Sequence, residues 1–371
     1  MKTILHWQRR SHFLGIVILA LSFFIAAQSG AAETVDREAV LRDITRNVIV
    51  AGFQDLAVKC QSFSNNIAQL VSTPDEAAVD QARQSWVAMF EAADRVRCFQ
   101  TGPIITREYA AAFYYSKVTP GVIEGEISSS NKLDEAYVGA LGGNVKGVFA
   151  LEYLLFGHTG FPSAPELNAA RAKELLIAPT SARRREFLLA ATREVAFKAT
   201  QLASDWSATG EQDAGPKFAA GGQASINTLV NQLAHAIEDF NQSRLNFALF
   251  LPKPLNTQIY RIEASPSGAS LRGAVASMAS MQTFYRGANG QGLQDVLKQV
   301  NAPLAKKIDD QFDATLAAIK AIDEPLDKAV FDKRDAVQNA CDKVKALEIL
   351  FKVDLASALG VTITFISGDG D

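Results

Sequence analysis

The sequence has 371 residues, of which 48% are hydrophobic and 21% are charged. This length suits about two domains, and the composition is that of a folded globular protein, which excludes a disordered or fibrous chain. The formal net charge of −3 argues against nucleic acid as a partner, because phosphate binding needs a basic surface.

The N-terminal segment resembles a secretory signal peptide. Three basic residues precede an apolar run at residues 13–27, and small residues at 30–32 offer a cleavage site before Glu33. A retained N-terminal anchor is the alternative. Without residues 1–32, 34 basic and 40 acidic side chains remain, which is a net charge of −6. No later segment has the 18 uninterrupted apolar residues of a membrane span, so we expect a soluble periplasmic protein.

Apolar residues that recur every three or four positions predict long amphipathic helices. One such stripe covers residues 53–70 and a second covers residues 79–96. Between them, Thr73 can cap the second helix, Pro74 suits its first position, and Glu76 would complete a capping box. Two long helices joined by a tight turn form an antiparallel hairpin, which is the unit of a helical bundle.

Further helices are expected between segments that are rich in Gly, Ser or Pro. They are predicted at residues 104–117, 145–156, 181–208, 223–250, 269–286, 291–320 and 325–352, with loops at 118–131, 157–165, 210–222 and 251–268 and an extended segment at 361–365. Similar segments at 150–154 and 346–350 favour two related bundles. The fold class predicted is therefore all-α, with two up-and-down bundles packed side by side, formed by residues 33–178 and 179–371.

Most sequence signatures of catalysis are absent. There is no HExxH, GxSxG or P-loop motif. Beyond the N-terminal segment only His158 and His235 remain, too few for a zinc site of three histidines. His235 and Glu238, three residues apart on a predicted helix, either share a metal or form a polar surface pair. Three cysteines allow either one disulfide and a free thiol or three buried thiols: Cys60, Cys98 and Cys341.

Glu152 is unusual because nearly all of its neighbours in the helix predicted at 145–156 are apolar. A buried carboxylate has to be paired, bound to a metal or protonated. Two interpretations stay open: a solvent-facing residue on a half-buried helix, or a functional carboxylate in a cleft. His158 follows six residues later and does not share the helical face of Glu152, so only an unusual loop path would bring it close.

The segment Gly147–Phe156 resembles the signature of the imelysin-like family, in which Gly-x-His-x-x-Glu leads into an apolar stretch. Trp86 precedes Gly102-Pro103-Ile104 at a family-like spacing, and segments 270–273 and 354–365 are also similar to family segments. The resemblance covers essentially the whole chain after residue 32. It implies an exported bacterial protein with two helical bundles and a site near their interface. Many members are associated with iron acquisition, and the first assigned activity is that of a peptidase.

Phe149 stands where the family has its histidine. Phenylalanine neither binds a metal nor transfers a proton, so only Gly147 and Glu152 carry over from the motif. The hypothesis is therefore a non-catalytic periplasmic binding or accessory protein of iron or haem uptake. The alternative is a metal-dependent peptidase of the imelysin type, with a metal held by Glu152 and other carboxylates.

The ligand site predicted from the resemblance has Glu152 as its polar and metal-binding group. The other residues assigned to it are Gly147, Phe149, Tyr153, Trp86 and Arg272. The cofactor is unknown, and iron, another divalent metal or haem would suit the hypothesis. The expected partners are a small ligand or metal and periplasmic or membrane iron-transport proteins, and attachment to the membrane stays open.

Overall fold

The computed structural model describes residues 36–158, 166–251 and 261–364. The predicted signal peptide lies outside these residues, as does residue 365 of the predicted extended tail. The first part of the described chain has nine α-helices: α1 (Arg37–Ile44), α2 (Ala51–Ser72), α3 (Glu76–Val96), α4 (Pro103–Thr106), α5 (Ala110–Tyr114), α6 (Pro120–Ser128), α7 (Glu135–Ala140), α8 (Val148–Phe156) and α9 (Ala169–Ile177). A π-helical turn, Thr45–Val50, joins α1 to α2.

The second part continues with a 3-10 turn at Pro179–Ser181. Its α-helices are α10 (Ala182–Trp206), α11 (Ala214–Ala219), α12 (Gly222–Asp239), α13 (Phe247–Leu249), α14 (Ser270–Arg286), α15 (Leu293–Lys320), α16 (Leu326–Asp332), α17 (Arg334–Ile349) and α18 (Ala356–Leu359). Two further π-helical turns lie at Phe240–Asn246 and Leu350–Leu355. No β-strand occurs in the described ranges, and His158 and Leu167 form one isolated antiparallel bridge. The all-α class is confirmed.

The predicted hairpin of α2 and α3 is present, and its apolar stripes are buried. The cap of α3 differs from the prediction. Asp75 is the N-cap, its Oδ1 accepts a hydrogen bond from the amide of Ala78 at 2.8 Å, and Glu76 is the first helical residue. Aspartate is a better N-cap than threonine, so the helix begins two residues later than Thr73 would place it.

Short helices occur in three of the predicted segments, and one of these is the loop predicted at 210–222, which contains α11. The helix predicted at 104–117 is split into α4 and α5, because residues 107–109 leave the helical path. The loop predicted at 118–131 is wrong, since it contains α6. Pro120 occupies the first position of α6, where a proline needs no amide hydrogen. The segment forms a helix although it is rich in glycine and serine. The burial of Pro120 and Ile123 stabilises this helix.

Packing arranges the helices in two groups that meet at α3 and α14. In the first group α2 lies between α3 and α10, and in the second α15 packs against both α14 and α17. Residues 361–364 follow α18 without helix, and the amide of Thr364 donates to Asn231 of α12 at 2.8 Å. The division of the chain at residues 178 and 179 stays a prediction.

Two properties bear on the setting of the protein. No helix among the described residues is long and apolar enough to cross a membrane. All three cysteines are free and buried, so the second of the two alternatives for them is the one observed.

Candidate functional site

Helix α8 is buried on every side, as an apolar sequence without a polar face requires. All residues from Val148 to Leu155 are buried. Gly147 starts the helix at a φ of 90°, and a Cβ there would lie 2.8 Å from the carbonyl oxygen of Ala112. Only glycine fits this backbone path. The motif glycine therefore sets the entry of the chain into α8.

Trp86 of α3 supports the start of the same helix. Its indole Nε1 donates a hydrogen bond of 2.9 Å to the carbonyl oxygen of Val148. The ring stacks on Phe90 with a centroid separation of 5.2 Å and meets the edge of Phe156 at 5.5 Å. The side chain is fully buried. Trp86 thus fixes both ends of α8 against α3.

Glu152 is buried within this helix, and its side chain faces the segment that leads into α14. Only 4% of its surface is exposed. Its Oε1 accepts a hydrogen bond of 3.0 Å from the backbone amide of Ser267. Among the described residues, no lysine, arginine or histidine forms an ion pair with it. Glu152 is therefore a buried carboxyl group without a cationic partner in that part of the chain.

A small cavity lies beside this carboxyl group. Its volume is about 30 Å³, which is enough space for a water molecule. The lining residues are Ser116, Val118, Phe149, Glu152, Tyr153, Gly157, His158, Ile262, Glu263, Ala264 and Pro266. As the described residues bound it, the cavity has room for a water molecule or an ion and not for a peptide.

His158 reaches this cavity through the turn that ends α8. Gly157 adopts a φ of 75°, and His158 then pairs with Leu167 in the isolated bridge. The imidazole is 3% exposed, and its ring centroid lies 5.4 Å from that of Tyr153. His158 and Glu152 therefore line the same cavity, although they do not share a helical face.

The environment of Glu152 disfavours its charged form. Burial raises the pKa of Glu152 from 4.5 to about 7; the hydrogen bonds from Ser267 oppose this rise, and the nearby carboxylate of Glu263 adds to it. Desolvation penalises a buried charge, and a like charge close by adds to the penalty. Near neutral pH this carboxyl group is consequently divided between its protonated and ionised forms.

Glu263 itself belongs to a buried network of two arginines and two carboxylates. Arg97 donates to Glu263 at 2.7 Å and 3.2 Å, and Arg244 donates to Glu263 at 3.1 Å and to Asp94 at 2.6 Å. Burial raises the pKa of Glu263, but Arg97 and Arg244 outweigh it, so the pKa is lowered overall. Glu263 is thus the ionised neighbour of Glu152. We call these four side chains the buried ion network.

Gly273 leaves the space that the buried ion network needs. A Cβ at this position of α14 would lie 2.1 Å from Oδ2 of Asp94 and 2.6 Å from the ring of Phe90. Helix α14 therefore approaches α3 closely only because residue 273 has no side chain. The glycine in the segment 270–273 has a packing role next to the two arginines.

The structure brings together three of the six residues assigned to the site. Glu152, Phe149 and Tyr153 line the cavity, and the Tyr153 hydroxyl donates to Glu124. Gly147 caps the start of α8 and Trp86 packs against the helix from α3, and neither lines the cavity. Arg272 is elsewhere: it is exposed and donates from Nε to Glu91 at 2.5 Å. The ligand-binding role of all six stays a prediction.

Sequence reasoning missed the residues that Glu152 faces. Ser267 and Glu263 come from a segment treated as a connection, and a hydrophobic period cannot locate a loop in space. Arg97 and Arg244 are 147 positions apart in the sequence. One local signal was available: Asp94 and Arg97 are three residues apart on one helical face, a spacing that favours an ion pair.

The donor set around the cavity is small for a metal centre. Among the described residues, no group of three or more His, Cys, Asp or Glu side chains is placed to hold a metal ion. Glu152, His158 and Glu263 line the cavity, and Glu263 is bound by two arginines. The second candidate pair is also engaged, since Glu238 lies 3.9 Å from His235 but 2.6 Å from Nζ of Lys352. Metal binding by Glu152 stays a prediction.

The raised pKa of Glu152 leads to a testable dependence of stability on pH. Between pH 4.5 and about 7 the folded state binds a proton that the unfolded state has lost, so the free energy of unfolding falls as the pH rises through this window. The shift corresponds to about 3 kcal/mol. Glu152→Gln keeps the shape without the charge and is expected to remove this fall.

Urea unfolding of both proteins at pH 4 and pH 8 measures the effect. Relative to the wild type, the variant should gain about 3 kcal/mol on going from the lower to the higher pH. Because both proteins share every other titrating group, the difference reports on residue 152 alone. An equal pH dependence in the two proteins would show that the carboxyl group is solvated.

The fold and the site define a class of all-α proteins. Members of this class have two packed groups of helices and a buried carboxyl group within the sequence motif. The sequence profile of imelysins, a family classed among the peptidases, matches residues 49–351. The chain therefore belongs to the imelysin family. No curated protein sequence matches the chain.

Two solved structures share the fold. A candidate iron-regulated protein A precursor from Parabacteroides distasonis superposes with a TM-score of 0.74 at 15% identity, covering 87% of this chain and 95% of that one. An imelysin-like protein from Psychrobacter arcticum gives a TM-score of 0.70 at 16% identity, covering 89% and 97% respectively. At these identities the similarity shows the fold alone.

Proposed function

We propose that this chain is an exported, non-catalytic binding protein that serves iron acquisition, with a metal ion as its cargo. Glu152 is the group proposed to contact the ion. The observation that carries the proposal is a buried carboxyl group beside a cavity of about 30 Å³, with one backbone hydrogen bond and no cationic partner among the described residues. A cation that enters the cavity would supply the positive charge that a buried carboxylate needs as its partner.

Two features favour binding over peptide hydrolysis. A catalytic zinc site has three protein ligands and an open water position, and Phe149 removes the family histidine from this set. The ring of Phe149 instead packs edge-on against Phe90 at 6.0 Å. The cavity beside Glu152 is also far smaller than a peptide. These features support a site that holds a single small ion.

The link to iron is supported by family membership and by one structural neighbour. Iron association is common in the family that the sequence resembles, and the Parabacteroides protein is described as iron-regulated. Carboxylate oxygen and imidazole nitrogen are both ligands that iron accepts. Glu152 and His158 both line the cavity, and the proposal rests on the carboxylate of Glu152. Export to the periplasm belongs to the same proposal and rests on the N-terminal segment of the sequence.

Calorimetric titration with Fe²⁺ under anoxic conditions tests the proposal. The wild type should bind one ion per chain at micromolar concentration, and Glu152→Gln should weaken binding at least ~10-fold, about 1.4 kcal/mol. Glu348→Gln is the matched control. Glu348 is equally buried in the similar segment 346–350, but Lys345 and Lys352 neutralise it.

The control should bind iron as the wild type does. Equal binding by the wild type and Glu152→Gln, or no binding by the wild type, would overturn the proposal. A peptide library provides the test of the alternative. Cleavage that is lost both with a chelator and in Glu152→Gln would establish the metal-dependent peptidase instead.

A further inference from the structure

A second and much larger pocket lies on the other side of the buried ion network. Its volume is about 440 Å³, within the range of sites for small organic molecules, whereas the cavity beside Glu152 holds one ion. Residues from the turn that follows α3, from α4, α12 and α14, and from the π-helical turn Phe240–Asn246 line it. None of the residues assigned to the site from the sequence takes part. We call it the arginine pocket.

The polar side of the arginine pocket carries positive charge. Arg97 and Arg244 line it, while their partners Glu263 and Asp94 do not. Nη2 of Arg244 donates to both carboxylates, but its Nη1 is buried without an acceptor among the described residues. The guanidinium groups therefore separate the carboxylates from the pocket. A π-helical turn places Arg244 there, and such turns are frequent at functional sites.

One further polar group in the arginine pocket is a donor. The Oε1 atom of Gln232 accepts a hydrogen bond from the amide of Gln100 at 3.0 Å, which leaves its NH₂ group as the free function. Nε2 of His235 is also buried and has no hydrogen-bond partner within the described residues; it donates or accepts according to which ring nitrogen carries the proton. The one carboxylate that lines the pocket belongs to Asp239, which lies 3.9 Å from Nη2 of Arg97 and whose side chain is 57% exposed to solvent, so it compensates that arginine only in part. The interior thus favours a ligand that brings acceptor oxygens.

The opposite wall is apolar. Ile105, Ala236, Phe240 and Met281 form it. A pocket with an apolar wall and a few convergent polar groups selects a ligand with an apolar body and one polar end. Together with the donors, this wall defines an amphipathic anion.

We propose that the arginine pocket binds a small organic acid, with its carboxylate toward Arg97 and Arg244 and its apolar body against Met281. Charge-assisted hydrogen bonds to guanidinium groups are stronger than neutral ones. The site does not depend on iron binding at Glu152. Its ligand is distinguished from the proposed cargo by size, by charge and by location.

Three probes with one apolar body test the ligand class: 2-naphthoate, 2-naphthamide and 2-naphthylmethylammonium. Protein labelled with ¹³C at the methionine methyl groups reports binding without any substitution. The Met281 signal should shift with naphthoate, at a Kd of about 1 mM or tighter. The amide and the ammonium should bind at least ~10-fold more weakly. Met89 is buried outside the pocket and its signal should stay in place.

A substitution that fills the pocket gives the second test. Ala236→Phe should abolish the shift of Met281, whereas Ala224→Phe, on the exposed face of the same helix, should leave it unchanged. Circular dichroism checks that each variant is folded. If the filled variant does not fold, the probe series on the wild type decides alone. The proposal is overturned if the ammonium binds as well as the carboxylate, if Met281 does not respond, or if folded Ala236→Phe still binds.

Discussion

Replacing Asp94 with alanine is expected to lower the free energy of unfolding by about 3–5 kcal/mol. Asp94 is 1% exposed and lies 2.6 Å from Arg244 and 3.8 Å from Arg97. Without Asp94, the buried guanidinium of Arg244 keeps Glu263 as its one carboxylate partner in the buried ion network, which halves the compensation of its charge. The loss exceeds the contribution of the ion pair itself, because the remaining charge stays buried and is compensated only in part.

Asp55→Ala is the matched control for this effect. Asp55 also pairs with an arginine of α3, Arg95, at 2.8 Å, but its side chain is 41% exposed. A pair in solvent contributes about 0–1 kcal/mol. Urea unfolding of the three proteins gives the comparison. Equal losses for the two variants would mean that the buried ion network is open to water.

Trp86→Ala is expected to cost about 3–5 kcal/mol. The indole is fully buried, stacks on Phe90 and donates to the carbonyl oxygen of Val148. Alanine would leave a cavity between α3 and α8 and would remove the one side-chain hydrogen bond that joins Trp86 to the start of α8. Because α8 carries Glu152, the variant should also weaken iron binding under the proposed function.

Two comparisons isolate the cause of that loss. Phe197→Ala removes an aromatic ring of α10 that is 59% exposed, and its effect should stay within about 0.5 kcal/mol. Trp86→Phe keeps a ring beside Phe90 and should recover part of the stability. A loss below about 1.5 kcal/mol for Trp86→Ala would mean that neighbouring side chains close the cavity.

The long helices follow from sequence because each one carries its own hydrophobic period. This holds for α2, α3, α10 and α14, whose ends lie within a few residues of the predicted ones. The short helices do not carry a hydrophobic period of their own. Helix α6 contains two glycines, and its stability comes from tertiary burial of Ile123 rather than from local propensity.

The burial of Glu152 is predictable from its apolar neighbours, but its surroundings are not. An apolar helix without a polar face has to be covered on all sides, and the 4% exposure of Glu152 agrees with this requirement. The amide of Ser267 lies 115 residues away in the sequence. Only the tertiary fold determines which groups meet Glu152, and the same is true of the buried ion network.

The buried ion network places the two proposed sites in electrostatic contact. Glu263 lines the cavity beside Glu152 and is bonded to Arg97 and Arg244, which line the arginine pocket. An anion in the arginine pocket would share the guanidinium groups with Glu263. The two sites are therefore expected to influence each other, and titrating iron with and without naphthoate measures this coupling.

Glu152 is a buried carboxyl group whose pKa of about 7 keeps it protonated up to near neutral pH. Infrared difference spectra between the wild type and Glu152→Gln, recorded across a pH series, observe this proton directly. The carbonyl band of a protonated carboxylic acid should persist in the wild type to about pH 6 and disappear by about pH 8, around the pKa of about 7. A band that has already disappeared by about pH 5, as for a solvated glutamate, would show that the pKa of Glu152 is not raised by burial.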